Sequence, residues 1–152
     1  MAAVVASWLL RLALGAVLVT AGALKLRDPV AFATEVANYH LWPSLAPFVA
    51  ATLPYLEIVV GAGLVFFPIG WRRPAALAAL LLMVVFAGAV SAAYLRHINV
   101  NCGCFGGGGG PITGLVVLRD LALVAGAGAL LVLDRPGRTG RTSRPSPLGS
   151  TP

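Results

Sequence analysis

Four stretches of the chain stay apolar for about 20 residues at a time, and short polar breaks separate them. They run from about Val4 to Leu24, Ala46 to Phe67, Pro74 to Tyr94 and Ile112 to Leu133. A bilayer core about 30 Å thick needs roughly 20 mostly apolar residues per helical span. The pattern therefore predicts an all-α membrane protein, a four-transmembrane-helix bundle. Asp28-Pro29 opens the first break, Pro68 to Pro74 makes a tight polar turn, and a glycine run from Gly106 to Gly110 closes the third break at Pro111. Pro74 suits the first turn of a helix, where its missing N–H is not needed. The first break is the longest and carries its own helical pattern. Asp28 can cap a short helix with Pro29 at its first position, and Phe32, Val36 and Tyr39 then share one face. Such a helix, ending near Trp42, would lie along the outer membrane interface as an amphipathic lid, with a substrate gate as the alternative.

Composition supports lipid as the solvent. The 152 residues are 59% hydrophobic and 11% charged, with a mean hydropathy of +0.90. Soluble domains carry about 25% charged residues. The net charge of +6 does not point to nucleic acid, because no recognition module accompanies it. Arg135, Arg138, Arg141 and Arg144 lie in a Pro/Gly/Ser/Thr-rich tail, residues 135–152, expected to be a disordered basic cytoplasmic segment after a membrane domain of residues 1–134. With an even number of spans both termini share a side with Arg72 and Arg73, whereas Lys25, Arg27 and Arg96 lie on the other. The positive-inside rule then puts the termini in the cytoplasm and the third loop outside. A cleaved signal peptide ending near Ala21-Gly22-Ala23 is the alternative for the first span, but no basic region precedes its apolar stretch.

Ionisable residues inside the spans narrow the chemistry. Arg11, Glu57, Arg119 and Asp120 fall within the apolar stretches, and Lys25 falls at the outer edge of the first. Each charge costs at least about 2.5–3.5 kcal/mol at mid-bilayer, so these groups should face the bundle and pair. The expected arrangement pairs Glu57 with Arg119 or Arg11 and leaves Asp120 near Lys25. Arg119 and Asp120 point about 100° apart on a helix, so they should serve different neighbours. This network either locks the helix register or carries protons or a polar headgroup such as a quinone. Gly61 one turn from Glu57, and Ala122 with Gly126, supply small residues for close packing.

Cys102 and Cys104 are the only cysteines and flank Gly103 in the third loop. On the oxidising side of a membrane such a pair is expected to be a redox pair or a disulfide. An inert staple across so short a loop gains little entropy. A metal site using both thiolates and His97 is a further alternative, one ligand short of the usual structural zinc set. The glycine run is no phosphate loop, since no Lys-Ser/Thr follows it; it reads as a tether. Lys25 or Arg96 nearby would favour a thiolate.

In order and spacing these segments resemble one family. Gly22-Ala23-Leu24-Lys25-Leu26 closes the first span and Leu53-Pro54-Tyr55-Leu56-Glu57 with Gly61 lies in the second. Cys102-Gly103-Cys104-Phe105-Gly106 fills the third loop and Arg119-Asp120 lies in the fourth span. From about Leu9 to Leu133 the chain resembles the MauE/DoxX group of four-helix membrane proteins, and within it the MauE branch (methylamine utilisation). The resemblance implies an accessory role in maturing a redox enzyme, as in methylamine dehydrogenase small-subunit maturation beside a thioredoxin-like partner. The wider group includes membrane subunits of quinone-linked oxidoreductases, so a quinone cofactor is compatible with it. The expectation is therefore a membrane component of an extracytoplasmic thiol–disulfide or electron-transfer relay using Cys102 and Cys104. Its partners would be a thioredoxin-like protein or a client redox enzyme. A non-catalytic membrane scaffold of a redox complex is the alternative, with a small transporter behind it.

Overall fold

The computed structural model describes residues 2–39, 43–96 and 113–134. Among them lie α1 (Ala2–Arg27), α2 (Pro29–Asn38), α3 (Ala46–Phe66), α4 (Arg72–Leu95) and α5 (Gly114–Leu133), with 3₁₀ turns at Pro43–Leu45 and Ile69–Trp71. No strand occurs among the described residues. Four helices, Val4–Arg27, Ala46–Phe66, Arg72–Leu95 and Gly114–Leu133, are long and apolar enough to cross a membrane. The chain is thus an all-α, multi-pass membrane protein, as its hydrophobic pattern predicts. Trp42, Cys102, Cys104, His97 and the basic tail fall outside the described residues.

Local chemistry explains the boundaries. The residue before a proline is driven out of the helical region, and Asp28 sits at φ −139°, ψ 80°. That ends α1 and starts α2, whose Ala31 N–H donates to the Asp28 carboxylate at 2.9 Å. The cap is the one expected from Asp28-Pro29. α1 runs to Arg27 rather than Leu24, so Lys25 belongs to its last turn. α4 starts at Arg72, which places Pro74 third in the helix, still within the turn whose N–H groups have no helical acceptor. Pro54 lies inside α3 and is buried there.

α1 packs on α3 and α4 on α5, and α1–α5 and α3–α4 contacts close the ring. The four long helices alternate in direction, an up-down-up-down bundle. Leu14, Leu18, Val60, Leu64, Met83 and Leu130 fill its centre. On α4 the buried side is mostly alanine, with Ala75, Ala76, Ala79, Ala87 and Ala93, and small residues let membrane helices approach closely. Large apolar side chains such as Phe48, Leu81, Leu115 and Phe66 point outward, where lipid would cover them.

The α1–α3 seam is the tightest. A Cβ added to Gly15 would stand 2.8 Å from the Gly61 carbonyl oxygen, and one on Gly61 would stand 2.9 Å from that of Gly15. At Gly22 it would meet the Pro54 carbonyl oxygen at 2.6 Å. Gly61 therefore packs as its position predicts. Gly126 does not: its nearest neighbour would be Leu10 at 3.7 Å, an ordinary contact.

Candidate functional site

The close approach at Gly22 brings Lys25, one turn further along α1, against Glu57 on α3. In a helix each Cα–Cβ bond tilts toward the N-terminus. Lys25 near the end of α1 is thereby aimed back into the bundle, while Glu57 on the antiparallel α3 is aimed toward it. Lys25 Nζ donates to Glu57 Oε1, and the two residues are 2% and 0% exposed. This corrects one expectation: Glu57 pairs with Lys25, and with neither Arg119 nor Arg11. Two aromatic faces complete the ammonium's surroundings: Phe86 of α4 at 4.8 Å and Phe32 of α2 at 5.3 Å from Nζ to the ring centres. Such rings attract a desolvated cation through their quadrupole.

Asp120 stands near Lys25, as the sequence leads one to expect. It lies within electrostatic reach of the ammonium, and both line one cavity. Arg119 curls back onto its chain neighbour, donating from Nε and Nη2 to Asp120 Oδ1 at 2.9 and 2.7 Å. Their backbone directions diverge, but a guanidinium on a three-carbon stem is long enough to return, so the expectation of separate partners was wrong for this pair. Arg119 remains 37% exposed while Asp120 is 6% exposed.

The cavity lies between Lys25, Glu57, Arg119 and Asp120, walled by apolar residues including Leu18, Met83 and Leu123. It offers about 30 Å³ to the centre of a water molecule. That is room for one or two waters and, as the helices stand, not for a quinone ring. Glu57 Oε2 and Asp120 Oδ2 are buried without a hydrogen-bond partner. Among the described residues, no group of three or more His, Cys, Asp or Glu is arranged to hold a metal ion.

A carboxylate that the hydrophobic pattern left unmarked joins this cluster. Glu35 of α2 is buried, its Oε2 has no hydrogen-bond partner, and Lys25 is its main countercharge. Burial pushes its carboxyl above the ordinary glutamate value, against the pull of Lys25 and with the help of Asp28. Tyr39, at the end of the same helix, is pushed up to about 12 by burial, by Glu35 and by Asp120, with Arg119 opposing. The signal for Glu35 was its spacing, since it falls between Phe32 and Tyr39 on the inward face of α2. Phe32 is buried there and Val36 is half-buried.

Arg11 works at the opposite end of the bundle. It is 1% exposed, and its guanidinium donates to the Leu64 carbonyl oxygen at 3.1 Å and to Asp134 Oδ2. It thus joins α1 to α3 and to the end of α5. Asp134 directly follows the last apolar stretch, so no intramembrane position marks it in the sequence. On the surface at that end, Arg72 stands 4.9 Å over the Trp8 ring.

The profile described as methylamine utilisation protein MauE matches residues 3–133. The chain is 41% identical over 121 residues to the methylamine utilization protein MauE of Paracoccus denitrificans, covering 78% of this chain and 64% of that one. It is 40% identical over 138 residues to the protein of the same name from Paracoccus versutus, covering 87% and 73%. The chain thus spans just under two thirds of the first relative's length. No solved structure matches it. The family match runs across nearly the whole bundle, and both relatives are about 40% identical: the chain belongs to the MauE family of methylamine utilisation proteins.

Proposed function

We propose that the protein is the membrane component of an extracytoplasmic thiol–disulfide relay serving methylamine utilisation, with Cys102 and Cys104 as the exchanging pair. The methylamine assignment follows the names of its relatives. One structural observation supports a relay. α4 ends at Leu95 and α5 begins at Gly114, so the cysteine segment is attached at the same end of the bundle as the Lys25–Glu57 cluster. Gly114 and Tyr94 lie side by side there: a Cβ on Gly114 would stand 3.6 Å from the Tyr94 hydroxyl.

The exchange balances without an added cofactor. A client thiolate attacks the Cys102–Cys104 disulfide, forming a mixed disulfide and freeing one thiolate of the pair. The client's second thiolate then attacks the mixed disulfide and displaces the pair's bonded sulfur, leaving a client disulfide and a reduced pair. A thioredoxin-like partner in its disulfide form takes the two electrons back and is itself reduced to the dithiol. A strained disulfide in so small a ring would favour the forward step.

In this reading both termini are cytoplasmic and the cysteine loop is extracytoplasmic, by the bias of basic residues. Labelling intact cells with a membrane-impermeant maleimide tests the reading. Cys102 and Cys104 should label from outside after mild reduction and resist before it. Labelling only after lysis contradicts the topology, and full labelling without reduction contradicts the disulfide.

A second reading, a non-catalytic scaffold for a redox complex, draws support from the rigid α1–α3 seam at Gly15, Gly22 and Gly61. It predicts that a chain with both cysteines changed to serine still supports client maturation.

A further inference from the structure

The loop end of the bundle holds an imbalance of charge. Three acidic residues, Glu35, Glu57 and Asp120, gather around Lys25. Arg119, bound to Asp120, is the second cation of the group. Arg27 and Arg96, the other described cations at this end, are exposed. Fully ionised, the cluster would carry one net negative charge in a setting of low dielectric. It would also keep three buried carboxylate oxygens, one on each acid, without a donor. Burying an ionised carboxylate unpaired is so costly that such groups neutralise instead.

The three acids differ in what holds them. Glu57 has the Lys25 ammonium on Oε1, and Asp120 has two guanidinium bonds on Oδ1. Glu35 interacts with Lys25 electrostatically but takes no direct bond from it, because Glu57 holds that bond. Glu35 also sits furthest from the bundle centre, on the covering helix α2, at 9% exposure against 0% for Glu57. The water-sized cavity beneath touches Lys25, Glu57 and Asp120 together.

We propose that this cluster is a proton-exchange site, in which Glu35 carries one exchangeable proton and cavity water joins Lys25, Glu57 and Asp120 behind it. Protonation removes the excess charge and turns Glu35 from an acceptor into a donor. Water bound at Glu57 Oε2 and Asp120 Oδ2 supplies the donors those atoms lack. The groups that act on Glu35 are Lys25 from α1 and Asp28 at the α1–α2 junction, with Tyr39 at the end of its own helix; Glu57 from α3 and Asp120 from α5 act on the same Lys25. Of these only Lys25 opposes protonation. The site stands independently of the thiol reading, since no cysteine takes part in it.

Infrared spectroscopy of the full chain in lipid nanodiscs tests this. The chain has only two glutamates, Glu35 and Glu57, so selective ¹³C labelling of glutamate side chains is close to a residue assignment. A protonated-carboxyl C=O band should be present at neutral pH, move on glutamate labelling, and move again when the medium is changed to D₂O. Glu35→Gln should remove the band. Absence of the band at neutral pH, a band that ignores glutamate labelling, or one that does not respond to D₂O would overturn the proposal. The labelling arm uses the unsubstituted chain and holds even if a variant fails to fold. Survival of the band in a folded Glu35→Gln chain would also overturn it.

Discussion

Lys25 and Glu57 stand 32 positions apart in the chain and meet as a buried ion pair across the α1–α3 seam. Their meeting depends on Gly22, whose missing side chain lets α1 rest on the Pro54 carbonyl. It also depends on the antiparallel run of the two helices, which aims both side chains at the same level. The pair is the centre from which the cavity, Asp120 and Glu35 are organised.

Removing one partner should cost more than removing both. Lys25→Met leaves Glu57 buried with no cation and is expected to destabilise the chain by about 3–5 kcal/mol. Lys25→Met with Glu57→Met together should recover most of that loss, because the desolvation of both charges disappears with them. A double-mutant cycle by unfolding in detergent micelles measures the coupling. Equal destabilisation by the single and double variants would contradict the pairing.

The seam predicts a sharp contrast among glycines. At Gly22 an alanine methyl meets backbone, which cannot rotate away, so Gly22→Ala should cost about 1–3 kcal/mol. Gly126→Ala meets only leucine methyls at ordinary distance and should be neutral or gain up to about 1 kcal/mol of helix propensity. Thermal unfolding of the two variants side by side checks the order.

Arg11→Met should be milder than Lys25→Met. It unpairs Asp134, but that residue is 17% exposed and water can take up its carboxylate. A loss of about 1–3 kcal/mol is expected from the stranded Leu64 carbonyl and the ion pair combined. The same unfolding assay ranks the two.

Stability should depend on pH through Glu35. Its folded-state value lies above the ordinary 4.5, so the folded chain binds the proton more tightly than the unfolded one. The stabilising contribution of the protonated form is then full below the unfolded value and is lost as pH rises through the folded one. Glu35→Gln keeps the neutral shape and should flatten this part of the profile, raising stability above the wild type at the alkaline end. An unchanged pH profile in that variant would contradict the assignment.

The spans, the Asp28 cap and the burial of Arg11, Glu57 and Asp120 were legible because hydrophobic runs and caps act locally. The partners were not. Pairing Glu57 with Lys25 depends on which faces of α1 and α3 touch, and that is set by Gly15, Gly22 and Gly61 acting together across the seam. Glu35 lies in a short helix outside the spans, where no membrane cost marks a charge, although its spacing from Phe32 and Tyr39 places it on the inward face. Asp134 escaped because it lies one residue beyond the last span.

The central claim is that Cys102 and Cys104 exchange electrons with an extracytoplasmic protein, and trapping the intermediate tests it most directly. Changing Cys104 to serine removes the thiol that resolves a mixed disulfide on Cys102, and Cys102→Ser does the converse. In cells making the relatives' methylamine-utilisation proteins, one of the two variants should accumulate a reductant-sensitive adduct with a thioredoxin-like or client protein. The double Cys→Ser chain should form none and should fail to support client maturation. No adduct from either single variant, with full maturation by the double variant, would contradict the relay.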